Sequence, residues 1–133
     1  MVFYLDTSAL VKALHQEAES EAFAQWMAAN AQHCYTSDFT RVELLRVTGR
    51  LGAATRVQAR AVLDALNLVA ISPAICDTAG LLEPATLRSL DAIHLATALQ
   101  LGDDLEALVT YDLRLGQAAQ MLAIPLLSPG CPG

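Results

Sequence analysis

The sequence predicts an α/β fold: a mostly parallel sheet of about five strands, flanked by helices as a three-layer sandwich. Three observations predict it. Short apolar runs recur along the chain, each is followed by a stretch of helical character, and cap or turn residues stand at most junctions. Runs that are apolar throughout suit parallel strands covered on both faces. With 133 residues and no repeat or linker, the chain is expected to be one domain over 1–129, with a flexible tail at 130–133.

Val2-Phe3-Tyr4-Leu5 is β-branched and aromatic and predicts a buried first strand. It hands over at Asp6 to a helix through Ala9–Leu14, with Thr7 or Ser8 as the expected cap. A second helix is expected over about Glu19–Ala29, with Ala22, Phe23, Trp26 and Met27 on its apolar side. Cys34-Tyr35-Thr36 reads as a strand. Ser37 or Asp38 then caps a helix to about Arg50, and Gly52 separates it from a helix over Ala53–Leu66. Leu68-Val69-Ala70-Ile71 reads as the third strand, and Pro73 suits the first turn of a helix to about Leu82. Ser89-Leu90-Asp91 opens the most apolar helix, which runs to about Leu101 and closes at Gly102. Ala107-Leu108-Val109-Thr110 is a strand ending in Tyr111-Asp112. A helix to about Ala123 and a last strand Ile124–Leu127 complete the series.

Composition narrows the function classes. A hydrophobic fraction of 54% and a mean hydropathy of +0.39 exclude a disordered chain. No apolar run approaches the roughly 18–20 residues of a membrane span, and the N-terminus lacks the pattern of a signal peptide. Cys34, Cys76 and Cys131 are widely spaced, which argues against a disulfide framework or zinc site. A soluble, reduced, cytoplasmic protein is expected. Eight basic residues against fourteen acidic ones give net charge −6, and seven of the eight bases are arginine. Such a chain does not hold nucleic acid by bulk charge; it would need a local arginine patch, a metal, or a partner.

Ten of the acids read as solvated or capping residues: Glu17, Glu19, Glu21, Asp38, Asp64, Asp77, Glu83, Asp103, Asp104 and Glu106. Four do not. Asp6 and Asp112 stand at strand ends, where open α/β sheets bind ligands, although each could simply cap the next helix. Glu43 shares a stripe with Phe39 and Val47, with Arg46 three residues on as a possible ion-pair partner and Arg50 further along that face. Asp91 lies in the first turn of a helix that is apolar all round, so it is either a dipole-favoured acid or the rim of a pocket. His94 could assist there, or pack with one hydrogen bond. Two carboxylates about 4 Å apart repel by roughly 4 kcal/mol, so a cluster of four calls for a cation or for protons. All-oxygen ligation selects Mg²⁺ or Mn²⁺, ions suited to phosphodiester hydrolysis.

The segments FYLDTSALVK, TRVELLR, LRSLDAIHLATALQLGDD and LVTYDLRLGQAA stand in an order and spacing that resemble the PIN-domain ribonucleases. The resemblance is greatest to the VapC toxins of bacterial toxin–antitoxin pairs, and it runs from about Val2 to Pro129. It implies a Mg²⁺- or Mn²⁺-dependent endoribonuclease that cleaves RNA with metal-activated water. Asp6, Glu43, Asp91 and Asp112 match the family's four acids, with Asp6 and Asp91 as direct metal ligands and Glu43 and Asp112 acting directly or through water. Ser8 and Thr110 match supporting hydroxyls. A VapB-like antitoxin and a homodimer are the implied partners. Arg46, Arg50 and Arg114 are candidate phosphate contacts, chosen for their nearness in sequence to Glu43 or Asp112 and otherwise read as solubilising residues. The alternatives are a non-catalytic acidic-pocket binding module and a PIN nuclease that is no toxin. A phosphatase or receiver domain fits poorly, since Asp6 is followed by Thr7-Ser8 and the sole lysine, Lys12, is on the first helix.

Overall fold

The computed structural model describes residues 1–131. Its elements are β1 (Val2–Leu5), α1 (Thr7–Val11), α2 (Ser20–Asn30), β2 (Cys34–Ser37), α3 (Asp38–Gly49) and α4 (Ala53–Asp64). These are followed by β3 (Asn67–Val69), α5 (Pro73–Leu81), α6 (Ser89–Gln100), β4 (Leu105–Val109), α7 (Leu113–Met121) and β5 (Leu126–Leu127). The five strands form one sheet in the order β3-β2-β1-β4-β5, and every pairing is parallel.

Side chains alternate across β1, and this places the layers. Phe3 and Leu5 point to one face, where Leu10, Phe23, Leu44, Leu63 and Val109 fill the core. Tyr4 points to the other face, among Leu95, Leu108, Leu115 and Ile124. Helices α1 to α4 therefore supply one core, and α6 and α7 the other. From β1 the chain builds outward through β2 and β3, then returns to place β4 on β1's other side. The strand order thus reverses between β1 and β4, which puts a crevice at their carboxyl ends. Asp6 follows one of these strands directly and Asp112 lies just past the other.

The expected boundaries shift where long-range pairing decides them. Helix α1 starts earlier than expected because its cap is Asp6, not Thr7 or Ser8: the carboxylate accepts the Ala9 N–H at 3.0 Å. Ser37 rather than Asp38 caps α3, accepting from the Thr40 N–H at 3.1 Å. Strand β3 stops at Val69, which pairs with Ser37, the last residue of β2, so Ala70 and Ile71 have no strand to pair with. Strand β4 ends at Val109, three residues before Asp112. Strand β5 begins only at Leu126, since the Ile124 N–H closes α7 on the Ala119 carbonyl and Pro125 has no N–H to give.

Glu17 and Glu19 are not simply solvated. They lie 3.4 and 2.7 Å from the ammonium of buried Lys12, which also sits 4.9 Å from the centre of the Tyr111 ring. This ties α1 to the start of α2 and to the segment after β4. Of the expected tail, Gly130 packs against Ala22 and Glu19, and Pro132 and Gly133 lie outside the described residues; just before it, the Tyr111 hydroxyl donates to the Pro129 carbonyl at 2.6 Å. Among the described residues no helix is long and apolar enough to cross a membrane.

Candidate active site

A cavity of about 180 Å³ opens at the β1/β4 crevice, lined by Asp6, Glu43, Asp91 and Asp112 together with Thr7, Ser8, Arg88 and His94. The four carboxylates come from four places: the end of β1, the middle of α3, the first turn of α6, and the segment after β4. They are spread over more than a hundred residues of sequence, and the parallel crossovers bring them to one end of the sheet.

Asp6 is buried, and each of its oxygens is held. Oδ1 accepts from the Ser8 hydroxyl at 2.7 Å and from the Ala9 N–H, and Oδ2 accepts from the Thr110 hydroxyl at 2.7 Å. Ser8 and Thr110 are fixed in turn by accepting the Tyr111 and Asp112 N–H groups at 2.9 and 3.0 Å. The two hydroxyls therefore lock the end of β1 to the end of β4. Burial raises the pKa of Asp6, against the pull of His94's charge and of the bonds from Ser8, Thr110 and the Ala9 N–H. Burial is the largest cause of that rise, so desolvation dominates the perturbation of this group.

Asp112 caps α7 by accepting the Arg114 and Leu115 N–H groups at 2.9 and 3.2 Å through Oδ1. For Asp6 and Asp112 the capping role and the crevice position therefore coexist. Asp91 is buried, and Arg88 Nε reaches its Oδ2 at 3.3 Å. That arginine is mostly exposed, so the pair is weak, of order 0–1 kcal/mol. Glu43 does not pair with Arg46. Its Oε1 accepts from the Thr7 hydroxyl at 2.5 Å and from His94 Nε2 at 2.8 Å. Burial works to raise the Glu43 pKa, but the His94 bond, the Thr7 bond and His94's charge outweigh it, and the carboxyl sits below its usual value.

His94 makes two hydrogen bonds where one was expected. A carboxylate only accepts, so Nε2 carries a proton, while Nδ1 meets the Tyr4 hydroxyl at 2.9 Å. That hydroxyl also bonds Ser37 at 3.0 Å, and burial pushes its pKa up to about 12. Both ring nitrogens are occupied, so His94 orients Glu43 and is not a free ligand. Thr7 and Tyr4 were missed in the sequence because their partners lie on other elements, and Arg88 because it stands just before the expected helix. A hydroxyl beside Asp6 was the only available signal for Thr7.

The oxygen-rich donor set suits a hard divalent ion. Among the described residues, Asp91 Oδ1, Asp112 Oδ2 and Glu43 Oε2 carry no hydrogen bond and are free for an ion or for its waters. No three His, Cys, Asp or Glu side chains among the described residues converge tightly enough to enclose an ion by themselves. The residues therefore fit a water-rich Mg²⁺ or Mn²⁺ site with few direct protein ligands, not a closed cage.

The candidate phosphate-contacting arginines separate. Arg114 lines a groove with Arg88, Asp91 and Gln117, next to the cavity. Arg46 and Arg50 do not line the cavity; they line a second groove with Arg56 and Arg60.

The family model of the PIN domain matches residues 3–120. Ribonuclease VapC47 of Mycobacterium tuberculosis is 41% identical over 133 residues, covering 97% of this chain and 98% of the relative. Ribonuclease VapC35 of the same species is 42% identical over 132 residues, again covering 97% and 98%. Among solved structures, the DNA-bound VapBC of Salmonella typhimurium superposes with TM-score 0.73 at 18% identity, covering 98% of this chain and 99% of that one. The sarcin-ricin loop cleaving toxin VapC20 of Mycobacterium tuberculosis also gives TM-score 0.73, at 16% identity over 87% of this chain and 94% of its own. These two likenesses concern the fold; the sequence relatives and the matched domain place the chain in the PIN-domain family, among the VapC ribonucleases.

Proposed function

We propose that the protein is a Mg²⁺- or Mn²⁺-dependent endoribonuclease and the toxin of a toxin–antitoxin pair. The observation that carries this reading is the meeting of Asp6, Glu43, Asp91 and Asp112 in one cavity at the strand-order switch. Its relatives bear the name ribonuclease VapC, and several fold neighbours are complexes with an antitoxin, which supports a VapB-like partner and an RNA substrate.

In this reading Asp6 and Asp91 would hold the ion, with Glu43 and Asp112 contributing directly or through water. A bound Mg²⁺ or Mn²⁺ supplies Lewis-acid stabilisation of phosphoryl charge and makes water more acidic. The chain's own residues provide the geometry. Ser8, Thr110 and the Ala9 N–H fix Asp6, so its position does not depend on the ion. His94 and Thr7 keep Glu43 ionised and turned into the cavity, where its second oxygen can accept a proton or orient a water. Asp91 must exchange its weak contact with Arg88, and the released guanidinium is then near enough to meet a phosphate. The site works in the cytoplasm, in a homodimer, until the antitoxin covers it.

The test is cleavage of total RNA, with and without EDTA, by the wild type and by Asp91→Asn. Cleavage that EDTA stops, Mn²⁺ restores and the variant lacks by at least about a hundredfold supports the reading. Equal cleavage by the variant refutes the site. The Arg88–Asp91 contact favours one second reading, a pocket that captures a guanidinium from a partner without turnover. A folded protein that binds its antitoxin equally well in chelator and cuts no RNA would establish that instead.

A further inference from the structure

The charge of this chain is strongly segregated. Residues 44–63 hold four of the seven arginines and no acid, while the remaining residues carry a net −10. Arg46, Arg50, Arg56 and Arg60 are all exposed, make no ion pair among the described residues, and line one groove with Leu45 and Gly49 where α3 packs on α4. The guanidinium of Arg56 lies so close over Gly49 that a Cβ there would overlap Nη2, so this side chain reaches across to the backbone of α3. Clustering like charges without partners is unfavourable, and in an otherwise acidic protein it calls for an anionic occupant.

We propose that this groove is a track for the phosphate backbone of the RNA on one side of the cleavage site. The inference rests on the ribonuclease reading and extends it to how an acidic protein holds a polyanion. Position favours a nucleic acid over an acidic protein segment. Glu43 lines the cavity from α3, and Arg46 and Arg50 follow it on the same stripe, about 5 and 10 Å further along the axis. Arg46–Arg50 and Arg56–Arg60 are each four residues apart, a rise of about 6 Å that suits successive phosphates of an extended strand. A strand with one phosphate at the cavity thus passes directly onto the groove. No apolar or aromatic side chain interrupts the four guanidinium groups except Leu45, so the track reads backbone charge and not base identity.

The experiment is fluorescence anisotropy with a labelled single-stranded RNA of mixed sequence, about 20 nucleotides long, in EDTA so that nothing is cut. Kd is measured over about 50–200 mM KCl for the wild type, Arg46→Gln/Arg50→Gln, Arg56→Gln/Arg60→Gln, and Arg41→Gln as control. Arg41 lies outside the groove, beside Asp38. All these positions are on the surface, and circular dichroism checks that each variant is folded. Each double variant should bind about tenfold more weakly at low salt, and its slope of log Kd against log salt should fall by about 1.4. Arg41→Gln should keep the wild-type slope. Wild-type slopes in both double variants overturn the track. A changed assembly mass with an unchanged slope also overturns it, and assigns the groove to a protein contact. The two readings fail separately: slopes that fall in a protein that cuts no RNA keep the track and sink the nuclease, and cleavage with unaltered slopes does the reverse.

Discussion

Asp6→Asn separates what the fold wants at the end of β1 from what the chemistry wants. Burial raises the Asp6 pKa in the folded protein above its ordinary value of 3.8. For a carboxyl with a raised folded pKa, the stabilising contribution is complete below the unfolded pKa and is lost as pH rises through the folded one. At neutral pH the ionised Asp6 is therefore a cost, about 1.4 kcal/mol for each unit of elevation. An asparagine placed with its oxygen at Oδ1 keeps the Ser8 and Ala9 donors. Its amide then faces Thr110, whose hydroxyl turns its proton toward Ser8 Oγ, 3.2 Å away, and limits the loss to about 1 kcal/mol or less. Because burial penalises only the charged form, the balance at pH 7 is a gain for the neutral side chain, read as a higher Tm. Thermal melts in EDTA across about pH 4–8 should show the variant's advantage growing with pH, while RNA cleavage falls by at least about a hundredfold. A variant less stable than the wild type by several degrees at pH 7, or a difference that ignores pH, would refute the argument.

Glu43 has the opposite sign. Its folded pKa is lowered, so its contribution is present above the unfolded value of 4.5 and is lost as pH falls through the folded pKa. Thr7→Val, which removes one of its donors, should cost about 1 kcal/mol in urea unfolding at pH 7, given that the carboxylate is partly exposed. That loss should shrink in acid; a loss of equal size at every pH would show the hydroxyl to be ordinary packing. Saturating Mn²⁺ should raise the stability of the EDTA-treated wild type by about 2.7 kcal/mol at a hundred times Kd. Asp6→Asn and Asp91→Asn should lose most of that gain, and an undiminished gain in both would place the ion elsewhere.

The parallel sheet was legible because its strands are apolar on both faces, as at Val2–Leu5 and Leu105–Val109. Where elements begin was less legible. Asp6, Thr7 and Ser8 are all good caps, and only the pairing of β1 with β4 decides that Asp6 takes the role while the two hydroxyls turn to Glu43 and Asp6. Three of the acids stood out by their places at strand ends or in an apolar helix, and Glu43 by sharing a stripe with Phe39 and Val47. Their partners did not: Tyr4 and His94 are 90 residues apart, and Thr7 and Glu43 are 36 apart, so no local pattern joins them. Nearness in sequence did not show where two of the arginines gather. Arg46 and Arg50 follow Glu43 on its helix, yet the packing of α4 gathers them with Arg56 and Arg60 in a separate groove.

The strand-order switch explains why capping and the cavity coincide. A parallel strand must turn at its carboxyl end into a helix, and that turn requires an acceptor for the helix's first N–H groups. An aspartate satisfies the requirement with one oxygen and leaves the other facing the crevice, as Asp112 does at α7. At Asp6 the arrangement is carried further, since Thr110 takes the second oxygen and burial closes over the charge. Folding alone therefore fixes these two carboxylates, so an arriving ion need not order them. Glu43 is held as well, by Thr7 and His94, whereas Asp91 is held only by the mostly exposed Arg88 and is the one free to adjust. Ion binding should accordingly move the Asp91 side chain on α6 while leaving the ends of β1 and β4 still. Chemical-shift changes on adding Mg²⁺ concentrated at Ala9 and Thr110, with Asp91 silent, would contradict this division.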